Sequence, residues 1–148
     1  MGGDSSYSVA IAAGSTYARI TSRLLPPEII ERIHYYPPAL RAAHFLKDRL
    51  AESVPLKDAA RAAGMERCAF SRFFSERIGI TFSDFARVLR VERALEALNA
   101  RDVGIGELGA LVGISHSSTF VRTFRRIVGC TPSQYKKRCL YASGGGGQ

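Results

Sequence analysis

Leu56, Ala59, Ala60, Ala63, Gly64 and Met65 are echoed 49 positions later by Ile105, Leu108, Gly109, Val112, Gly113 and Ile114. The echo continues at an offset of 50, where Phe70, Arg72, Phe74, Ile78, Gly79, Thr81 and Phe85 return as Phe120, Arg122, Phe124, Val128, Gly129, Thr131 and Tyr135. One residue has entered between the glycine and the phenylalanine. In a chain of 148 residues, a motif carried twice restricts the fold to one in which that motif is a packing unit. Length alone excludes an architecture such as an eight-stranded α/β barrel.

Each copy has the grammar of a helix-turn-helix. A short helix with apolar residues at helical spacing ends at Gly64 or Gly113, where glycine can take the left-handed conformation that stops a helix. A second helix follows a tight turn. Phe70, Phe73, Phe74 and Ile78 share one face of that helix in the first copy, as Phe120, Phe124, Ile127 and Val128 do in the second, and these are predicted core. The opposite faces carry Arg67, Cys68, Ser71, Arg72 and Ser75 in one copy and Ser117, Ser118, Val121, Arg122 and Arg125 in the other, with no acid among them.

Between the copies, Phe82, Phe85, Val88, Val91, Leu95 and Leu98 keep a helical period without Gly or Pro, and Thr81 can cap the start. A helix over 81–100 would be about 30 Å long at 1.5 Å per residue, close to one turn of B-DNA at about 34 Å. Such a strut would suit two helices bound in successive major grooves. A last helix opens with Thr131 as N-cap, Pro132 at N1 and Gln134 at N3, a capping box.

The charge follows the repeat. The chain has 21 Lys+Arg and 13 Asp+Glu, a net charge of +8. Three bases offset three acids before residue 38, so the whole excess lies downstream, and no acid follows Glu107. A polyanion is therefore the expected partner, and nucleic acid suits groove-sized helices better than a membrane surface does. Cys68, Cys130 and Cys139 form no CxxC pair and read as free thiols. His34, His44 and His116 stand in unrelated contexts, no carboxylate pair is set for acid–base work, and the glycines form no P-loop. No enzyme, cofactor or metal is expected.

Arg72 and Arg122 occupy equivalent repeat positions, and arginine bidentate to guanine is the commonest specific major-groove contact. A solvated arginine is the alternative for each; recurrence in both copies favours base reading. Ser71, Ser117, Ser118 and Thr119 offer short hydrogen bonds to bases or phosphates, and Cys68 a small neutral contact. Arg67, Arg87, Arg90, His116, Arg125, Lys136 and Lys137 are the candidates for phosphate contacts, which fix register without reading sequence.

With these residues in place, the chain resembles the DNA-binding domain of the AraC/XylS family of bacterial transcription regulators from about Pro38 to Arg138. The most specific stretch is IGELGALVGISHSSTFVRTFRRIVGCTPSQYKKR, through Gly113, Phe120, Arg122, Phe124, Gly129, Thr131, Pro132 and Tyr135. The resemblance implies a seven-helix, all-α domain with two helix-turn-helix units joined by a long linker helix, the units binding adjacent major-groove segments. Position by position, it carries base reading onto Cys68, Ser71 and Arg72 and onto Ser117, Ser118, Thr119 and Arg122. It further implies a cytoplasmic regulator, most often an activator that contacts RNA polymerase. Double-stranded DNA is the expected partner, with the chain a monomer or weak dimer. Gly109 and Ile114 depart from the usual Ala and Phe, and Pro55 stands where a capping Ser or Thr is usual, with Ser53 as its expected substitute.

The expected organisation is a weakly ordered lead over 1–37 with at most one short helix, a DNA-binding domain over 38–140 and a disordered tail over 141–148. Within the domain, the units fall at about 55–79 and 104–129, the linker at 81–100 and the final helix at 131–140. A lead of 37 residues without strand alternation cannot form a ligand-sensing domain. The chain is thus expected to be a small stand-alone regulator or the DNA-binding part of a longer ligand-sensing one. The rival from another class is a protein-interaction module, a degenerate helix-turn-helix that binds RNA polymerase or another regulator.

Overall fold

The computed structural model describes residues 19–100, 104–113 and 117–138, and every regular element among them is a helix. In chain order these are α1 (Pro27–Tyr35), α2 (Pro37–Lys47), α3 (Leu56–Ala63), α4 (Arg67–Ile78), α5 (Phe82–Ala100), α6 (Ile105–Leu111) and α7 (Ser117–Val128), followed by α8 over 132–138. None is long and apolar enough to cross a membrane. The all-α class with two helix-turn-helix pairs, α3–α4 and α6–α7, joined by a long helix is as the repeat predicts. The described residues form two compact units, one from those up to Asp48 with Val54–Phe85, the other from Arg49–Ser53 with those from Ala86 onward.

In the first unit, α2 and α3 form the most extensive helix pairing. Both bring alanines to the core, Ala39, Ala42 and Ala43 from one and Ala59, Ala60 and Ala63 from the other, and small side chains let helix axes approach closely. Phe70 and Phe74 of α4 lie on the start of α5, with ring centroids 5.3 Å from Phe82 in each case and Phe74 5.6 Å from Phe85. These rings are buried, so α4 is held by one aromatic face. At most one short helix is expected in the lead over 1–37; the described part of it holds α1, which joins this core through Ile29, Ile30 and Ile33, while residues 1–18 of that lead and the tail over 141–148 lie outside the described residues. Ahead of it, the backbone N–H of Ile20 donates to His34 Nε2 at 3.1 Å. Burial lowers the His34 pKa by more than contact with the Ile20 backbone raises it, and burial also lowers that of His44.

Helix ends in this unit are closed by local chemistry. Gly64 takes φ +77°, and Met65 N–H donates to Ala60 O at 2.9 Å, satisfying a carbonyl that the helix leaves without an intrahelical donor. Arg41 Nη2 donates to Ala63 O at 2.9 Å and Arg32 Nη1 to Ile78 O at 3.2 Å, so α1 and α2 each place a cation on the C-terminus of one helix of the pair. One expectation fails. No side chain caps α3, whose N-cap is Pro55 itself. Ser53 belongs instead to the five-residue segment that packs with the second unit.

The second unit repeats the plan. Phe120 and Phe124 of α7 are fully buried with Leu108 of α6 and Val112 just after it, and Tyr135 of α8 sets its ring edge against Phe124 at 6.1 Å while its hydroxyl donates to Asn99 Oδ1 at 3.2 Å. The capping box forms as written: Thr131 N–H donates to Gln134 Oε1 at 3.0 Å and Gln134 N–H to Thr131 Oγ1 at 3.2 Å. Thr81 likewise caps α5 through Asp84 N–H at 3.0 Å. Gly113, at φ +75°, turns against the segment 49–53, and a Cβ there would stand 2.5 Å from Leu50 O and 2.9 Å from Glu52 O. Only glycine fits.

Candidate nucleic-acid interface

Burial of Phe70, Phe74 and Ile78 at i, i+4 and i+8 fixes which side of α4 faces outward. On that side Arg67, Cys68 and Arg72 are exposed and Ser71 and Ser75 are half-buried. All five, with Leu56, line one open groove of about 420 Å³. The four candidates singled out on the first copy, Arg67, Cys68, Ser71 and Arg72, are thus brought together on one surface. Phe73, expected in the core, is half-buried and meets Tyr36 edge-on at 5.6 Å.

On α7 the buried pair Phe120 and Phe124 again sets the orientation. Ser118, Thr119, Arg122 and Arg125 are exposed and Val121 is half-buried. Ser118, Arg122 and Arg125 follow one another at i, i+4 and i+7, one helical face. Arg126 is exposed too, and α7 carries no acid at all. Ser117 opens this helix, and His116 and the side chain of Ser117 lie outside the described residues.

The phosphate candidates divide. Arg87 and Lys137 are exposed on α5 and α8, and Lys136 is half-buried. Arg90 departs from its expected place: its guanidinium donates through Nη2 to Glu52 O at 3.0 Å and through Nε to Leu50 O at 3.5 Å. The side chain is half-buried, and burial lowers its pKa. It holds the 49–53 segment where α5 and Gly113 meet it, which makes it a positioning residue of the second unit.

Sequence reasoning missed Glu66. Its Oε2 accepts from the N–H groups of both Cys68 and Ala69, at 3.0 and 3.1 Å, so it caps α4. Those backbone bonds, the Cys68 side chain and nearby Arg67 hold the exposed carboxyl below the usual carboxylate range. An acid one residue ahead of the first basic position was the available signal. Among the described residues no group of His, Cys, Asp and Glu is arranged to hold a metal ion.

The arrangement agrees with what the chain is similar to. A family model described as a helix-turn-helix domain matches residues 59–138. The HTH-type transcriptional regulator RipA of Corynebacterium diphtheriae is 32% identical over 126 residues, 84% of this chain and 36% of that protein. A transcriptional regulator from Chromobacterium violaceum, described as having an AraC-type DNA-binding domain, superposes with a TM-score of 0.65 at 24% identity, covering 70% of this chain and 92% of that one. The DNA-binding domain of AdpA, solved in complex with a target DNA, superposes with a TM-score of 0.64 at 24% identity, covering 69% of this chain and 91% of that one. At these identities the two structures establish the fold. The chain spans about a third of the length of RipA.

Proposed function

This chain belongs to the AraC-type helix-turn-helix family of transcription regulators, and from that premise we propose that it binds DNA sequence-specifically, α4 and α7 each entering a stretch of major groove. The observation that carries the proposal is the recurrence of an exposed arginine, Arg72 and Arg122, at the same repeat position of two helices whose opposite faces are buried aromatics. Cys68, Ser71 and Arg72 read bases in one segment, and Ser117, Ser118, Thr119 and Arg122 in the other. Arg67, Arg87, Arg125, Lys136, Lys137 and His116 serve the phosphates. AdpA's domain, solved with its target DNA, supports the class of partner. Activation of transcription through contact with RNA polymerase is the regulatory role we assign.

Fluorescence anisotropy with random duplex tests the class. Binding at micromolar protein in low salt is expected, weakening as log K falls by about 0.9 per phosphate neutralised for each decade of salt. No binding at micromolar protein in low salt would overturn the proposal.

A further inference from the structure

An acid next in sequence to the residues that line the outward groove of α4 needs a reason. Capping α4 requires only a side-chain oxygen, which Ser, Thr, Asn or Asp supplies better than Glu. The carboxylate of Glu66 also brings a negative charge to the helix end whose neighbours Arg67 and Cys68 line the outward groove. Facing phosphates, that charge opposes binding. Facing bases, it has one good partner: the N4 amino group of cytosine, which donates into the major groove and is read there by Glu or Asp. In a helix-turn-helix, the N-terminal residues of the second helix are the ones that reach base edges.

The geometry suits that role. Both backbone bonds end on Oε2, so the carboxylate is fixed in direction by the helix it caps. Its two oxygens offer about four acceptor positions. The Cys68 and Ala69 N–H groups and the Cys68 side chain engage it, which leaves capacity for a further donor. The second copy has Ile114, Ser115, His116 and Ser117 after its turn glycine, with no acid there.

We infer that Glu66 is a specificity-determining residue, its carboxylate accepting from the N4 amino group of a cytosine in the segment bound by α4. The inference rests on the DNA-binding reading above and deepens it. It makes the two half-sites unequal: a cytosine is demanded beside α4 and has no counterpart beside α7.

The experiment is selection from a random duplex library with the full chain, with Glu66→Ser and with Glu66→Gln. Serine keeps the N-cap oxygen and removes the charge; glutamine keeps the length and adds a donor. The wild type should enrich a cytosine at one position of the half-site that Arg72→Ala relaxes. Glu66→Ser should flatten that position by about tenfold while leaving every other preference and the melting temperature in place. Glu66→Gln should move the same position from cytosine toward adenine, the base that Gln reads, and it decides the matter alone if the serine variant does not fold. Enrichment by the wild type with unchanged preferences in the folded variants would overturn the role of Glu66. A wild type that enriches no sequence would instead overturn the DNA-binding reading, and this inference with it.

Discussion

At the first turn, a Cβ added to Gly64 would meet only Arg41 Nη2, in ordinary contact at 3.7 Å; at the second, a Cβ added to Gly113 would stand 2.5 and 2.9 Å from backbone carbonyl oxygens. Both glycines share nearly the same left-handed φ, +77° and +75°, and the same place in the repeat. Arg41 and Arg90 make a similar pair. They stand 49 positions apart, the offset of the first helices of the two motifs, and each spends its guanidinium on carbonyl oxygens. Arg41 closes the end of a neighbouring helix in its own unit through Ala63. Arg90 reaches back 38 to 40 residues to the 49–53 segment. A repeat therefore preserves where a residue stands in its unit, while the bonds it makes depend on what the rest of the chain lays against it.

The largest test of that contrast is at the turns. Gly113→Ala combines left-handed strain with collision against backbone, which cannot swing aside as a side chain tip can. A loss of about 3 kcal/mol or more is expected in denaturant unfolding. Gly64→Ala meets the strain alone, about 1 kcal/mol. Equal losses at the two sites would erase the distinction between the two turns.

Next come the arginines. Arg90→Ala strips a charged donor from two carbonyls at a half-buried site, for about 2 kcal/mol, and should leave the salt dependence of DNA binding unchanged in protein that remains folded. Arg125→Ala is its counterpart on α7: little change in stability, and a log K slope against log salt shallower by about 0.9. If Arg90→Ala flattened the slope as well, Arg90 would have to be returned to the phosphate contacts. Arg122→Ala should cost about 1–3 kcal/mol of DNA affinity, concentrated at one base position. A loss spread evenly over all sequences would reassign Arg122 to phosphate.

The recognition faces were readable in the sequence because a helix that buries Phe at i and i+4 has no choice about its other side; Arg72 and Arg122 fall outward for that reason. Caps were readable where donor and acceptor lie within three residues, as in Thr131 with Gln134 or Thr81 with Asp84. What escaped were bonds from side chains to distant backbone. Arg90 to Glu52 O, Arg32 to Ile78 O and His34 to Ile20 have acceptors or donors that every residue carries, so no residue type marks them. The membership of 49–53 in the second unit escaped for the same reason. Glu66 falls outside the periodic polar face, which begins at Arg67, because a cap lies one residue ahead of the helix.

The last expected effect is on pH, and it separates the units again. His34 and His44 both belong to the first unit, and burial lowers both pKa values below the ordinary 6.5. The unfolded chain then binds protons that the folded chain resists, so stability rises with pH across this range. The contribution is fully present above the unfolded pKa and is lost as pH falls below it toward the folded values. Denaturant unfolding at pH 7.5 and 5.5 should show lower stability at the acid end. The difference should shrink in the His34→Gln, His44→Gln double variant, with amides of α1 and α2 losing hydrogen-exchange protection on acidification before those of α6 and α7. An undiminished pH difference in the double variant would place the titrating groups elsewhere. Earlier loss of protection in α6 and α7 would make the second unit the acid-sensitive one, the reverse of what a buried and a half-buried histidine in the first unit require.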